Sequence, residues 1–207
     1  MRKLSLAAVC ALGATISMPA FAQDAKPIDI YVGAIAGWDR VTLDYESDDG
    51  SEDGLMYGIT AGLDYTFGAD EGPFLGVEVE YADSDVSESA ADLLVIGDEA
   101  KLSAGRDLYI GARAGFHASN WIKLYAKGGY TNAKVKGRYF DGVDTYRDSL
   151  DMDGFRIGAG AESSLGGPVV LRVEYRYSDY GEAQYDGIGT GVSASRNQVV
   201  AGLLAKF

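Results

Sequence analysis

Eight runs of this sequence place apolar residues at every second position. The first sets Ile30, Val32, Ala34, Ala36 and Trp38 against Tyr31, Gly33, Ile35 and Gly37. Later runs lead with Tyr57–Phe67, Leu75–Tyr81, Leu108–Phe116, Ile122–Tyr130, Phe155–Leu165 and Leu171–Tyr177. The last ends the chain with Val199, Ala201, Leu203, Ala205 and Phe207 on one face. A repeat of two is the repeat of a β-strand, whose successive side chains leave on opposite faces. Across all eight runs one face carries no charge, and Ser163 is its only hydroxyl apart from tyrosine. The other face carries Arg113, Lys123, Lys127, Arg156, Arg172, Arg176 and Lys206 against Asp64, Glu78, Glu80, Glu162 and Glu174. The abundance of Gly (28) and Tyr (14), with only 4 Pro among 207 residues, agrees with strands and turns.

Alternation by itself fits two architectures. A soluble sandwich turns the apolar face inward. A transmembrane barrel turns it outward to lipid and encloses the polar face. Three features favour the second. The polar face is rich in glycine, which suits a crowded bore. Its charges are mixed and nearly balanced, although the chain as a whole has a net charge of −13. Aromatic residues gather at the two ends of the runs: Trp38, Tyr57, Tyr81, Tyr130, Phe155 and Tyr177 at one, Phe67, Phe74, Phe116, Trp121 and Phe207 at the other. Such pairs of belts mark two membrane interfaces. The fold expected is all-β, an eight-stranded antiparallel up-and-down transmembrane β-barrel. Its first strand pairs with its last, because an open edge cannot be satisfied in lipid.

Residues 1–22 read as a cleaved signal peptide, and 23–207 as the barrel domain. Arg2 and Lys3 precede the apolar run Leu4–Met18, and Ala20-Phe21-Ala22 supplies the small-x-small site, placing the cut before Gln23. Cleavage removes Cys10, Arg2 and Lys3, leaving sixteen Lys and Arg against 31 Asp and Glu, a net charge of −15. No later segment offers the ~18 consecutive apolar residues of a spanning helix. The links Gly68–Pro73, Ala118–Asn120 and Gly166–Pro168 are short; those near Arg40–Gly54, Asp83–Asp107, Asn132–Asp151 and Asp179–Ala194 are long and polar. Short and long alternate as they do between the periplasmic and outer ends of outer-membrane barrels. Both termini are therefore expected in the periplasm, with four acidic loops outside.

The segments Ile30-Tyr31-Val32-Gly33-Ala34, Leu124-Tyr125-Ala126-Lys127-Gly128-Gly129-Tyr130 and Leu171-Arg172-Val173-Glu174-Tyr175-Arg176-Tyr177, with terminal Phe207, resemble the small eight-stranded outer-membrane proteins. These include the opacity-protein and porin-family barrel domain and the transmembrane domain of outer membrane protein A. The likeness covers about 28–207. It implies that Val199, Ala201, Leu203, Ala205 and Phe207 form the signal read by the barrel-assembly machinery. The partners implied are that machinery, periplasmic chaperones, and the lipid and lipopolysaccharide of the outer membrane.

A barrel of eight strands is just wide enough for side chains to fill it. The inward charges Asp64, Glu78, Glu80, Arg113, Lys123, Lys127, Arg156, Glu162, Arg172, Glu174, Arg176 and Lys206 should pair across it, since an unpaired charge there is costly. The interfacial set is Trp38, Tyr57, Phe67, Phe116, Trp121, Tyr130 and Tyr177. No cofactor or metal is expected, and acidity excludes a nucleic-acid partner. One His and one Cys leave little for catalysis: His117, beside Ser119, sits at the foot of a strand, away from the outer leaflet where lipid-modifying barrels work. Asp49-x-Ser51-x-Asp53-Gly54 opens like a calcium loop, but its twelfth position is Thr60, so an EF-hand is rejected. Weak divalent-ion binding by the acidic segment Asp44–Asp53 stays open. Gly187, Gly189 and Gly191 precede no helix, so no phosphate cradle is indicated. The leading expectation is a non-enzymatic, structural envelope protein. A small channel is one alternative. The other is a surface adhesin displaying Tyr139, Phe140, Tyr146, Tyr180 and Tyr185, whose tyrosines give contact area at low entropic cost; its ligand is unknown.

Overall fold

The computed structural model describes residues 27–45, 48–68, 72–91, 99–140, 144–181, 184–185, 188–189 and 192–207. The expected leader, residues 1–22, lies outside them. The strands are β1 (Ile28–Tyr45), β2 (Asp48–Thr66), β3 (Pro73–Ser84), β4 (Ser87–Ala91), β5 (Glu99–Ser119) and β6 (Ile122–Phe140). They continue with β7 (Thr145–Gly166), β8 (Val169–Tyr180), β9 (Gln184–Tyr185), β10 (Ile188–Gly189) and β11 (Val192–Lys206). Eight of these, β1, β2, β3, β5, β6, β7, β8 and β11, pair antiparallel in order and close into a barrel. The closing seam joins β1 to β11, from Tyr31 opposite Lys206 to Tyr45 opposite Val192. β4 adds to β5 beyond the end of β3, and β9 and β10 form a separate small hairpin.

The apolar face is outside. Ile59 is 60 % exposed and Val79 48 %, whereas Arg156 and Arg176 are 0 % exposed. That is the reverse of a water-soluble sandwich. From Ile28 to Trp38, ten residue steps of about 3.3 Å at about 40° tilt give an apolar band about 25 Å tall, the height a bilayer core requires. The short turn between β7 and β8 rests on two glycines with positive φ, Gly166 (101°) and Gly167 (59°), a backbone region in which a Cβ would clash.

The long polar links are a correction. β1 runs on to Tyr45 and β2 begins at Asp48, so most of Arg40–Gly54 is paired strand. Within Asn132–Asp151, β6 and β7 stay in register to Phe140 opposite Thr145. β4 and the start of β5 fill part of Asp83–Asp107, and β9, β10 and the start of β11 part of Asp179–Ala194. Beyond the bilayer neither face of a strand need be apolar, so hydropathy loses the strand while the backbone ladder continues. Phe74 is a second correction. It is an inward residue, 1 % exposed, and not part of a belt. It alternates with Leu75, which faces out.

Candidate functional site

Each barrel strand sends every second side chain into the bore. Buried there among the described residues are seven carboxylates, Asp39, Asp64, Glu78, Glu80, Asp107, Glu162 and Glu174. Seven cations face them: Arg113, Lys123, Lys127, Arg156, Arg172, Arg176 and Arg196. Lys206 and Asp29 stand at the mouth, partly exposed, 2.6 Å apart. Of the twelve charges expected inside, eleven are buried and Lys206 is the one at the mouth. Asp29, Asp39, Asp107 and Arg196 escaped the sequence reading because they fall at run ends or in the assumed loops. Extending the parity of each run by a few residues finds them.

The charges form one alternating column. Asp29 accepts from Lys123 (3.0 Å), which also reaches Asp64 (3.5 Å). Arg113 bridges Asp64 (3.3 Å) and Glu162 (2.9 Å), and Arg172 bridges Glu162 (2.7 Å) and Glu78 (2.6 Å). The Lys127 ammonium touches Glu78 (2.8 Å), Glu80 (2.9 Å) and Glu174 (2.7 Å). Arg176 joins Glu174 (3.6 Å) to Glu80 (2.5 Å), and Arg156 joins Glu80 (3.2 Å) to Asp107 (2.5 Å). Arg196 joins Asp107 (3.1 Å) to Asp39, completing the series at the end opposite the chain termini. No like charges are adjacent in this path, which is what a low-dielectric interior demands.

The carboxylates of Glu78, Glu80 and Glu174 lie within 4.8 Å of one another, the grouping that could hold a metal ion. Here the Lys127 ammonium occupies their centre. Aromatic rings line the column. The Arg113 guanidinium lies over Tyr125 at 4.1 Å, Tyr31 at 5.1 Å and Phe74 at 5.3 Å. Tyr31 donates to Glu78 (2.6 Å) and Tyr125 to Glu174 (2.5 Å). Opposite these tyrosines in register stand Gly62 and Gly160. A Cβ on Gly62 would come 2.3 Å from the Tyr31 hydroxyl, and one on Gly160 2.7 Å from that of Tyr125. The glycines thus make room for the rings. Above Asp107, Ala133, Met152, Tyr180 and Ala194 form a small apolar cluster.

Trp38, Tyr57, Phe67, Phe116, Trp121 and Tyr130 are exposed on the outer surface, and Tyr177 is partly covered. Of the terminal motif, Val199, Ala201, Leu203 and Phe207 face outward and exposed, with Ala205 half-covered. His117 Nδ1 lies 2.9 Å from the Gly72 carbonyl, and its ring meets Phe74 edge-on at 6.1 Å. That is a packing role at the foot of β5. The acidic segment Asp44–Asp53 lies partly outside the described residues, as do Gly187 and Gly191; Asp53 accepts a two-pronged bond from exposed Arg40 (2.7 and 2.9 Å).

A family model described as the outer membrane protein beta-barrel domain matches residues 8–204. A 31 kDa outer-membrane immunogenic protein of Brucella melitensis is 29 % identical, the match covering 88 % of each chain. A 25 kDa outer-membrane immunogenic protein of Brucella abortus is 28 % identical over 81 % of this chain and 60 % of its own. The crystal structure of Neisserial surface protein A superposes with a TM-score of 0.53 at 19 % identity, covering 86 % of this chain and 97 % of that one. That last likeness concerns the fold.

Proposed function

The chain belongs to the outer membrane protein beta-barrel domain family, and we propose that within the outer membrane it is a structural envelope protein, closed to solutes and without catalytic activity. The observation carrying this reading is the unbroken alternation of charge from Lys206 to Asp39. A conducting bore needs free cross-section and ions able to leave their sites. This column instead holds its cations in ion pairs of 3.6 Å or less. Residues 1–22 direct export and are removed, so the mature protein begins at Gln23. Both termini are periplasmic, and the hairpins β1–β2, β3–β5, β6–β7 and β8–β11 face outward. The terminal alternation ending in Phe207 engages the barrel-assembly machinery after periplasmic chaperones deliver the chain.

Planar-bilayer recording of the refolded protein tests closure. Wild type is expected to be electrically silent, and Arg172→Ala, which removes one of the two guanidiniums joining Glu78 to Glu162, to show openings. Regular unitary steps from wild type would establish a channel instead. A cell lacking the protein is expected to take up a membrane-excluded dye more readily, which checks the envelope role.

A surface-adhesion reading draws support from the paired strands that rise past the apolar band, with Tyr146 exposed on β7. The names of the Brucella relatives, outer-membrane immunogenic proteins, agree with surface display. Shortening all four hairpins without any loss of cell adhesion would remove it.

A further inference from the structure

The ladder around the barrel is complete only within the apolar band. Between β2 and β3 it ends at Met56 opposite Ser84, level with the top of that band at Trp38 and Leu55. Asp85 finishes it: its N–H donates to the Leu55 carbonyl (3.1 Å), and its carboxylate accepts the Leu55 N–H (2.6 Å). Above that point β2 continues as Asp48–Gly54, with β1 as its one ladder partner among the described residues. β3 gives way to β4, which pairs with β5 alone. β2 and β4 meet where Val86 packs on Gly54, at which a Cβ would stand 2.6 Å from the valine Cγ2, and no ladder joins them beyond.

The backbone groups of an antiparallel strand point alternately to its two neighbours. Leu55 turns its N–H and C=O toward Asp85, so Asp53, Ser51 and Asp49 turn theirs to the side that β3 has left. They form an unpaired strand edge. Such an edge is forbidden in lipid and permitted in water, where it is a template for another extended chain. Charge decides which chain. Asp48, Asp49, Glu52 and Asp53 stand on β2, Asp85 at the foot of its free edge and Glu88 on β4, and neither strand carries a Lys or Arg. On the flanking strands Arg40 is held by Asp53 (2.7 Å), Arg106 is turned to Asn132 and Asp151, and Lys101 lies on the far side of β4, opposite Ser89. A second copy of the chain would bring the same acids into register with these, and like charges on paired strands repel.

We infer that the free edge of β2 is a docking strand for an extended, Lys- or Arg-bearing segment of another protein outside the cell. The segment adds to the sheet beside Asp49–Asp53. Its backbone bonds to Asp53, Ser51 and Asp49, and its cations meet the acids of β2. The inference rests on the outward placement of the β1–β2 hairpin proposed above, and it gives the adhesion reading a surface and a kind of partner.

The test uses the full mature chain folded in micelles, with heat-modifiable gel mobility scored for every variant. The probe is a short fluorescent peptide alternating lysine with valine, its binding read by anisotropy. One comparison peptide is methylated on every backbone nitrogen, which keeps the charge and removes the donors. The other carries glutamate in place of lysine. Both are expected to bind about tenfold or more weakly. Ser51→Pro deletes a donor that the β1 ladder does not use, and is expected to weaken the lysine peptide by about threefold to tenfold. Asp49→Lys/Glu52→Lys, which leaves the backbone whole, is expected to weaken it about tenfold and keeps the proposal open to refutation where the proline variant does not fold. Ser89→Pro on β4 leaves binding intact. Equal affinity for the methylated and unmethylated peptides, full affinity in the folded Ser51→Pro variant or in the double variant, or a loss confined to Ser89→Pro would overturn the docking strand. A dimer of the chain that the peptide disperses would also overturn it, because a second copy would then be the occupant. Those failures leave the outward placement untouched. That placement is read separately by labelling Ser51→Cys on intact cells with a membrane-impermeant maleimide; no labelling, with peptide binding retained in micelles, would overturn the extracellular partner and the outward placement together.

Discussion

Lys127 shows how much one residue carries in this interior. Its ammonium is the shared cation of Glu78, Glu80 and Glu174. Lys127→Met leaves three carboxylates within 4.8 Å of one another without it. Breaking a buried ionic group by removing one partner costs about 3–5 kcal/mol. Denaturant unfolding from lipid bilayers should show a loss of that size. Lys206 makes a pair of similar length with Asp29, but its side chain is 36 % exposed at the mouth. There solvent screens the pair, and Lys206→Met should cost about 0–1 kcal/mol. The contrast checks that burial, and not distance, sets the value of these contacts. Gly62 makes the complementary point about space. Its alanine variant pushes on the Tyr31 hydroxyl at 2.3 Å and the Val77 carbonyl at 2.6 Å, and should lose about 1–3 kcal/mol in the same assay. The tyrosines and glycines were legible in the sequence as an inward face. Their cross-strand pairing was not, because register depends on where the turns fall.

The strands themselves divide at the membrane surface. Inside the apolar band each is held on both edges by the closed ladder. Past it, β6 and β7 rise as a hairpin whose register pairs run from Thr131 opposite Gly154 to Phe140 opposite Thr145. Joining Lys136 to Ser149, which are register partners, through an Asn-Gly turn removes its tip without altering the ladder below. The trimmed protein should fold into bilayers with unchanged heat-modifiable mobility; failure to fold would show that the projecting wall helps the barrel close. At the opposite end, Gly166→Ala forces a Cβ into φ 101° and should cost about 1–2 kcal/mol without touching the bore. The eight runs located every membrane-spanning strand. Their lengths were underestimated at the end away from the chain termini, where Asp48–Gly54 and Arg138–Phe140 are paired strand without an apolar alternation.

At the scale of the whole molecule, charge is sorted by compartment. The column from Lys206 to Asp39 is neutral, eight cations against eight anions, so the net charge of −13 lies entirely outside it. Raising salt from about 0.1 M to about 1 M shortens the Debye length from ~10 Å to ~3 Å, yet buried pairs are little screened. The denaturation midpoint should therefore change little with sodium chloride; a large fall would mean that the column is open to solvent. What the sequence determined alone was which face of every strand is apolar, and from it a closed barrel with charges enclosed, because side-chain parity is a local property that a lipid solvent makes binding. What only the tertiary structure decided was who meets whom. Arg172 reaches Glu78 and Arg196 reaches Asp39 across residues far apart in the chain. Those partners are selected by closure, which makes β1 and β11 neighbours, and by stagger, which brings inward positions of β3 and β8 to one level across the bore, and no local pattern encodes either.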